Sequence, residues 1–110
     1  MKLPNADKAI VPSDKITDYL LSLTHLDGRD KAAFFIAFGF SPEAPKLLEA
    51  ALLKQAEAQA VVRSVSNTFG VRYVIEGELE TPDGRNPLVR SVWFVENGEE
   101  IPRLVTAYPL

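Results

Sequence analysis

The apolar residues of this chain change their spacing a little past its midpoint. In segment 46–56 they recur at intervals of three and four residues, which is typical of a helix with one buried face. In segment 71–80 they alternate with charged residues, which is typical of a strand with one buried face. The sequence therefore predicts an irregular arm in residues 1–12, a helical part in residues 13–59 and a sheet in residues 60–110.

Turn signals divide these parts further. Gly28 breaks the helical pattern once, and either Pro42 or Pro45 starts a third helix. Segments 82–85 (Pro-Asp-Gly-Arg) and 97–98 (Asn-Gly) are typical of tight hairpin turns. Strands joined by such short connections must be antiparallel neighbours. We predict an α+β fold, in which about three N-terminal helices pack on one face of a four-stranded antiparallel meander sheet.

The composition limits the chemistry that the chain can perform. A length of 110 residues predicts one domain, residues 1–110. The chain has no cysteine, which excludes disulfides and thiolate nucleophiles. With a single histidine and no clustered carboxylates, the sequence predicts no metal site. It also lacks a glycine-rich phosphate loop, and no cofactor is expected.

Charge and hydropathy predict the compartment and the class of partner. Segment 1–8 lacks the apolar run of a signal peptide, and the longest apolar stretch, residues 32–38, is too short to cross a bilayer. These features predict a cytoplasmic protein without a membrane partner. The net charge is −3, whereas proteins that bind nucleic acid by overall charge are usually basic. No DNA partner is expected, and a role with RNA requires a local basic patch.

The link between the first two predicted helices carries two candidate functional residues. His25 is the only histidine, and histidines exchange protons near neutral pH, so it is a candidate general base or acid. The alternative is a loop histidine that caps a helix or packs on Tyr19. Lys31 lies in the first turn of the second helix, where a cation opposes the helix dipole, and is a candidate phosphate ligand. The alternative is a solvated lysine offset by Asp27 or Asp30.

The predicted sheet carries a third candidate, Arg90. It shares a strand face with apolar residues, and a half-buried arginine requires a partner. The partner is either a carboxylate, such as Glu76 or Glu78 on the neighbouring strand, or a phosphate or an acidic protein. Trp93 and Tyr73 are interpreted as packing residues of the core or sheet face, not as platforms that stack on bases.

Thr106, on the last predicted strand, is the fourth candidate. Strict alternation places it on the same face as Leu104 and Tyr108. That strand is expected to pair with the strand of Arg90. The sequence therefore predicts that the two polar side chains lie on paired strands.

Motifs along nearly the whole chain are similar to those of a known bacterial domain. In the helical half the matching positions are segment 4–9, Lys15, segment 19–21, Thr24-His25, Gly28, Lys31-Ala32 and Gly39-Phe40. In the sheet half they are Phe69-Gly70, Arg72-Tyr73, segment 82–85, Val89-Arg90, Val92-Trp93, segment 102–104 and Thr106. The chain resembles a domain of unknown function that occurs as small stand-alone proteins and as the C-terminal tail of filamentous-haemagglutinin-like, contact-dependent and polymorphic toxins.

Such tails resemble the barnase–EndoU–colicin–RelE-like group of metal-independent ribonucleases, whose active site lies on the open face of a four-stranded antiparallel sheet. The resemblance implies cleavage of RNA by attack of the ribose 2′-OH on the adjacent phosphate, without a metal ion. The implied site residues are His25 as base or acid, Lys31 and Arg90 as phosphate ligands, Thr106 as a hydrogen-bond donor, and Arg103 and Arg72 as further substrate contacts.

Two hypotheses about function follow. The first is a toxin-like ribonuclease that acts on RNA. The alternative is a non-catalytic binding module that pairs with a small antitoxin or immunity-like protein. The alternative requires only an open sheet face and an exposed edge strand.

Overall fold

A computed structural model describes residues 1–110, and all of its helical segments precede its strands. The helical segments are a 3₁₀ turn (Ala6–Lys8), α1 (Ser13–Lys15) with a π-helical turn (Ile16–Leu20), α2 (Arg29–Ala37) and α3 (Pro45–Ala58). The strands are β1 (Val61–Ser66), β2 (Gly70–Glu78), β3 (Leu88–Glu96) and β4 (Arg103–Pro109). No helix is long and apolar enough to span a membrane.

The four strands form one antiparallel sheet in the order β1-β2-β3-β4. The connections turn where the sequence predicts. Gly84 and Gly98 lie in these turns with φ angles of 78° and 84°, which residues with a side chain rarely adopt. The helices cover one face of this sheet. This architecture confirms the predicted α+β fold with a four-stranded antiparallel meander.

The helical half shows which proline starts the third helix and how the first one is built. Pro45 is the first residue of α3, where its missing N–H costs no hydrogen bond. The first predicted helix is one α-helical turn followed by the π-helical turn, which Leu21 closes by donating its N–H to the Ile16 carbonyl over 2.8 Å. Single π turns are frequent at functional sites, and this one carries Tyr19.

The core lies between α3 and the inner face of the sheet. Leu48 and Leu52 of α3 and Trp93 of β3 are fully buried. Tyr73, the register partner of Trp93, packs against the same core. The interpretation of both aromatic residues as packing residues is therefore confirmed.

A bulge in β4 corrects the predicted position of Thr106. Leu104 pairs with Trp93, whereas Thr106 pairs with Val92, so Val105 is an extra residue in the ladder. An extra residue reverses the facing of every side chain beyond it. Leu104 therefore faces the core, and Thr106 faces the open side. The prediction that these two residues share a face is wrong because it assumed unbroken alternation.

Candidate active site at the edge of the sheet

Tyr19 is the centre of a polar cluster where the π-helical turn meets β4. Its hydroxyl lies 3.1 Å from Thr106 Oγ1, which joins the helical layer to the sheet edge by a hydrogen bond. The Lys31 and Lys15 ammonium groups lie 5.3 Å and 5.5 Å from the centre of its ring. The His25 ring packs edge-on against the same ring, with 5.0 Å between centroids. Three of the four predicted catalytic residues therefore meet at a tyrosine.

A glycine brings the His25 loop onto Tyr19. A Cβ atom at Gly28 would lie 2.8 Å from Tyr19 Cδ1, so a side chain at this position collides with the ring. The loop also folds through His25 Nδ1, which accepts the backbone N–H groups of Asp27 and Gly28, each over 3.0 Å. With Nδ1 acting as an acceptor, the ring proton of His25 lies on Nε2. Of the structural alternative, packing on Tyr19 is present, whereas the Nδ1 bonds close the loop before α2 and do not cap that helix.

Two surface cavities meet at Tyr19 and Thr106, which line both of them. The first cavity is also lined by Asp30, Lys31, Tyr108 and Pro109. The second is also lined by Asp14, Lys15, Asp18, His25, Asp27 and Val105. The Tyr19 side chain therefore borders a cavity on the side of Lys31 and another on the side of His25.

Neither of the two lysines beside Tyr19 forms a salt bridge with a carboxylate. Lys31 Nζ donates to the backbone carbonyl of Asp27 over 3.1 Å, and neither Lys31 nor Lys15 has a carboxylate oxygen within 4.0 Å. The expected offset of Lys31 by Asp27 or Asp30 is thus not a salt bridge. Both ammonium groups remain available to an anion at the ring of Tyr19.

This environment changes the acidity of Tyr19. Partial burial acts to raise the pKa of its hydroxyl, but the hydrogen bond from Thr106 and the Lys31 and Lys15 charges outweigh that effect. The net result is a pKa of Tyr19 below its ordinary value. A hydroxyl that loses its proton more easily, beside unpaired cations, is suited to proton transfer next to an anionic substrate.

Arg90 is connected to this cluster through Tyr108. Its Nη1 lies 3.4 Å from the Tyr108 hydroxyl, and its Nε donates to Glu76 Oε2 over 2.6 Å. These two hydrogen bonds raise the pKa of Arg90. Glu76 is the carboxylate partner that one interpretation of the sequence expected, and the side chain of Arg90 is 33% exposed. Arg90 is therefore paired but still faces solvent beside the first cavity.

The two predicted substrate contacts lie one row further along the open face. Arg72 pairs with Phe94, and Phe94 pairs with Arg103, so the three side chains point to the same side as Thr106. Arg72 and Arg103 are exposed and have no ion pair. With Arg63 on β1, they give the open face a local positive charge in a chain whose net charge is −3.

Sequence reasoning missed the central residue of the site. The sequence pattern indicates Tyr19 only as a ring on which His25 can pack, and it indicates no functional role for Tyr108 or Lys15. A signal was present, because Lys15 and Tyr19 are four residues apart and lie together on a helical surface. The contact with Thr106 spans 87 residues and depends on the bulge in β4, which no local pattern indicates.

The fold has a counterpart among solved structures. It is similar to a chain of a contact-dependent growth inhibition toxin–immunity protein complex from Klebsiella pneumoniae 342, with a TM-score of 0.76 and 16% sequence identity. The alignment covers 93% of this chain and 100% of that chain. At this identity the likeness concerns the fold.

Comparisons of sequence give the family. No curated protein sequence matches the chain significantly. The family model DUF6883, described as a domain of unknown function, matches residues 2–110, which is nearly every residue. The chain therefore belongs to the DUF6883 family.

Proposed function

We propose that this domain cleaves RNA by transesterification, with Tyr19 as the group that accepts the proton of the ribose 2′-OH. The observation that carries the proposal is the convergence of Lys31, Thr106 and His25 on a tyrosine whose pKa is lowered. The ribonuclease resemblance and the toxin–immunity likeness of the fold agree with it. Fold likeness does not establish an activity, so the residues carry the argument.

The proposed reaction assigns a task to each group. The 2′-oxygen bonds to phosphorus as its proton passes to the ionised oxygen of Tyr19, and the bond from phosphorus to the 5′-oxygen breaks. Water gives that oxygen its proton, and the hydroxide so formed removes the proton from Tyr19 and restores the ionised group. Lys31 holds the negative phosphate at the first cavity. Arg90 contacts the hydroxyl of Tyr108, which lines this cavity, and adds positive charge near the phosphate. Thr106 keeps the Tyr19 hydroxyl in place and stabilises its ionised form.

The direct test is cleavage of a fluorescent single-stranded RNA by the purified chain in the presence of EDTA. The proposal expects a product that ends in a 2′,3′-cyclic phosphate. A DNA strand of the same sequence serves as control, and it should stay intact because it lacks the attacking hydroxyl. Intact RNA, or equal cleavage by the chain with Tyr19, Lys31 and Thr106 all replaced, would contradict the proposal.

The assignment of His25 as base or acid stays a prediction, and two substitutions at this position separate its possible tasks. Protonation of Nδ1 would break both hydrogen bonds to the loop, so we propose that His25 positions the loop against Tyr19. Asparagine accepts such backbone N–H groups through its side-chain oxygen. We expect His25→Asn to keep most of the cleavage rate and His25→Ala to lose roughly tenfold or more. Equal, severe losses in both variants would instead assign proton transfer to His25.

The lowered pKa of Tyr19 predicts a measurable titration. Its ionisation, followed by tyrosinate absorbance, should begin at lower pH than that of an ordinary tyrosine, and Lys31→Met should move it upward. Because folding lowers this pKa, the ionised hydroxyl stabilises the folded chain above the ordinary tyrosine pKa. That contribution disappears as the pH falls through the folded pKa. Lys46→Met, on an exposed lysine of α3, is the control and should leave the titration unchanged.

A second function, binding of a small partner protein, is favoured by a specific observation. The similar fold belongs to a toxin–immunity protein complex, and the open face here carries unpaired arginines. We propose that the domain pairs with an acidic protein of the antitoxin or immunity type. This pairing is compatible with RNA cleavage and does not depend on it.

A further inference from the structure

The two edges of the sheet differ in how they are covered. The β4 edge is occupied by Ile10, which accepts the N–H of Leu104 and donates to the Pro102 carbonyl, each over 2.9 Å. At the β1 edge, only Val61 bonds to a segment beyond the sheet, through its N–H to the Met1 carbonyl over 2.7 Å. An uncovered edge strand offers its backbone groups to another strand. Because α1 and α2 also contact β4, β1 is the less covered of the two edges and the better placed to pair.

The free backbone groups of β1 follow from its register. Asn67 donates to the Gly70 carbonyl over 2.9 Å at the hairpin, which fixes the alternation along the ladder. The next residues that bond to β2 are Val65 and Arg63, so the N–H and C=O groups of Ser64 and Ser66 point away from the sheet. No turn or loop hydrogen bond reaches these two residues.

The side chains of this edge are unusually apolar for an exposed strand. Val62 and Val65 are 54% and 48% exposed, and Phe69 at the adjoining hairpin is 73% exposed. Proteins commonly protect such edges with lysine, proline or a bulge. β1 contains neither lysine nor proline, and its register shift lies at its start, between Val61 and Arg63, before the outward groups of Ser64 and Ser66. Its only charge is Arg63, which faces the open side beside Arg72 of β2.

We propose that β1 binds an extended acidic segment of a partner protein as a fifth strand of the sheet. A carboxylate opposite Arg63 would complete an ion pair that the chain itself does not supply. The inference locates the partner of the second proposed function and rests on that function alone.

The arginines near β1 also disfavour a second copy of the chain as the strand that pairs with this edge. Antiparallel pairing of β1 with itself about Ser64 would bring Arg63 and Arg72 of both copies to one face. The carboxylate nearest in the register, Glu76, is already bound to Arg90. Like charges gathered across a strand pair are destabilising. An acidic segment has the opposite effect and is the better match.

Amide hydrogen exchange of the full chain tests the proposal, with an acetylated peptide of alternating valine and glutamate as the probe. We expect the Ser64 and Ser66 amides to exchange roughly tenfold more slowly at saturating peptide. The same peptide with lysine in place of glutamate is the control and should give no protection. Backbone pairing and charge are thereby tested separately.

Two variants sharpen the result. Ser64→Pro removes an outward N–H without removing a bond to β2, so it should abolish peptide binding while the sheet stays folded. Arg63→Glu should lose the acidic peptide and gain the lysine peptide, and it keeps the test decisive if the proline variant fails to fold. Arg29→Glu, at the exposed start of α2, is the matched charge control and should bind like the unmodified chain.

Three outcomes would overturn the proposal. The first is a peptide that protects other amides and leaves Ser64 and Ser66 unchanged, which would move the partner site without removing the partner function. The second is protection of these amides in the chain alone as its concentration rises, which would assign the edge to a second copy. The third is protection by an RNA oligonucleotide in place of the peptide, which would assign this surface to nucleic acid.

Discussion

Replacing Tyr19 by phenylalanine is expected to reduce the proposed RNA cleavage by roughly 10²- to 10⁴-fold, the usual contribution of a positioned proton-transfer group. The substitution removes only the hydroxyl. The ring remains to pack against His25 and beneath the two lysines. Loss of the hydrogen bond to Thr106 should lower the free energy of unfolding by about 1 kcal/mol. Single-turnover cleavage rates and urea unfolding measure the two effects separately.

Tyr73→Phe is the matched control, because Tyr73 packs against the core on the other face of the sheet. It should cleave at the unmodified rate. Thr106→Val gives an independent check, since it removes the hydrogen bond that helps to lower the pKa of Tyr19. The cleavage rate should rise with pH as Tyr19 ionises, and in Thr106→Val this rise should occur at higher pH. A Tyr19→Phe variant that cleaves normally would exclude Tyr19 as the proton acceptor.

Replacing Gln55 by alanine is expected to lower the free energy of unfolding by about 3–5 kcal/mol. Gln55 Nε2 donates to the carbonyls of Gly77 and Val89 over 3.0 Å and 2.9 Å, and its Oε1 accepts the Ser91 hydroxyl over 2.7 Å. Ser91 in turn accepts the indole N–H of Trp93 over 3.0 Å. Alanine would leave these buried groups without partners and open a cavity between α3 and the sheet.

Urea unfolding followed by circular dichroism measures this loss. Glu57→Ala is the control, because Glu57 is exposed on the same helix and the change affects only the helix surface. It should change the free energy of unfolding by at most about 0.5 kcal/mol. A Gln55→Ala variant within about 1 kcal/mol of the unmodified chain would show that the buried network contributes little to stability.

Local sequence patterns predicted much of this fold. The change of apolar period separated the helices from the strands, and Gly84 and Gly98 marked turns that require positive φ. Both signals are local, because burial of one face imposes a period of 3.6 on a helix and of 2 on a strand. Gln55 lies among the apolar residues of the α3 stripe without any local signal of a role, and the structure reveals its partners across the sheet.

The candidate site required the tertiary structure. His25, Lys31 and Thr106 were identified as polar residues in unusual positions, but the sequence did not indicate the tyrosine that they share. For the fourth candidate, Arg90, the sequence predicted the contact with Glu76 as one of two alternatives. It did not predict the contact with Tyr108. Contacts between distant segments depend on the pairing register of the strands, and the local spacing of residues does not predict that register.

Local spacing was sufficient to predict the fold class, the order of helices and strands, and the presence of one buried face on β2, because hydrophobic burial imposes local periods. The folded chain was needed to show that Val105 forms a bulge, that Thr106 thereby turns to the open side, and that Tyr19 meets it there. A one-residue insertion reverses every side chain beyond it, and its position depends on how two strands pair. For that reason the residues of the site lie together only when β3 and β4 pair in this register.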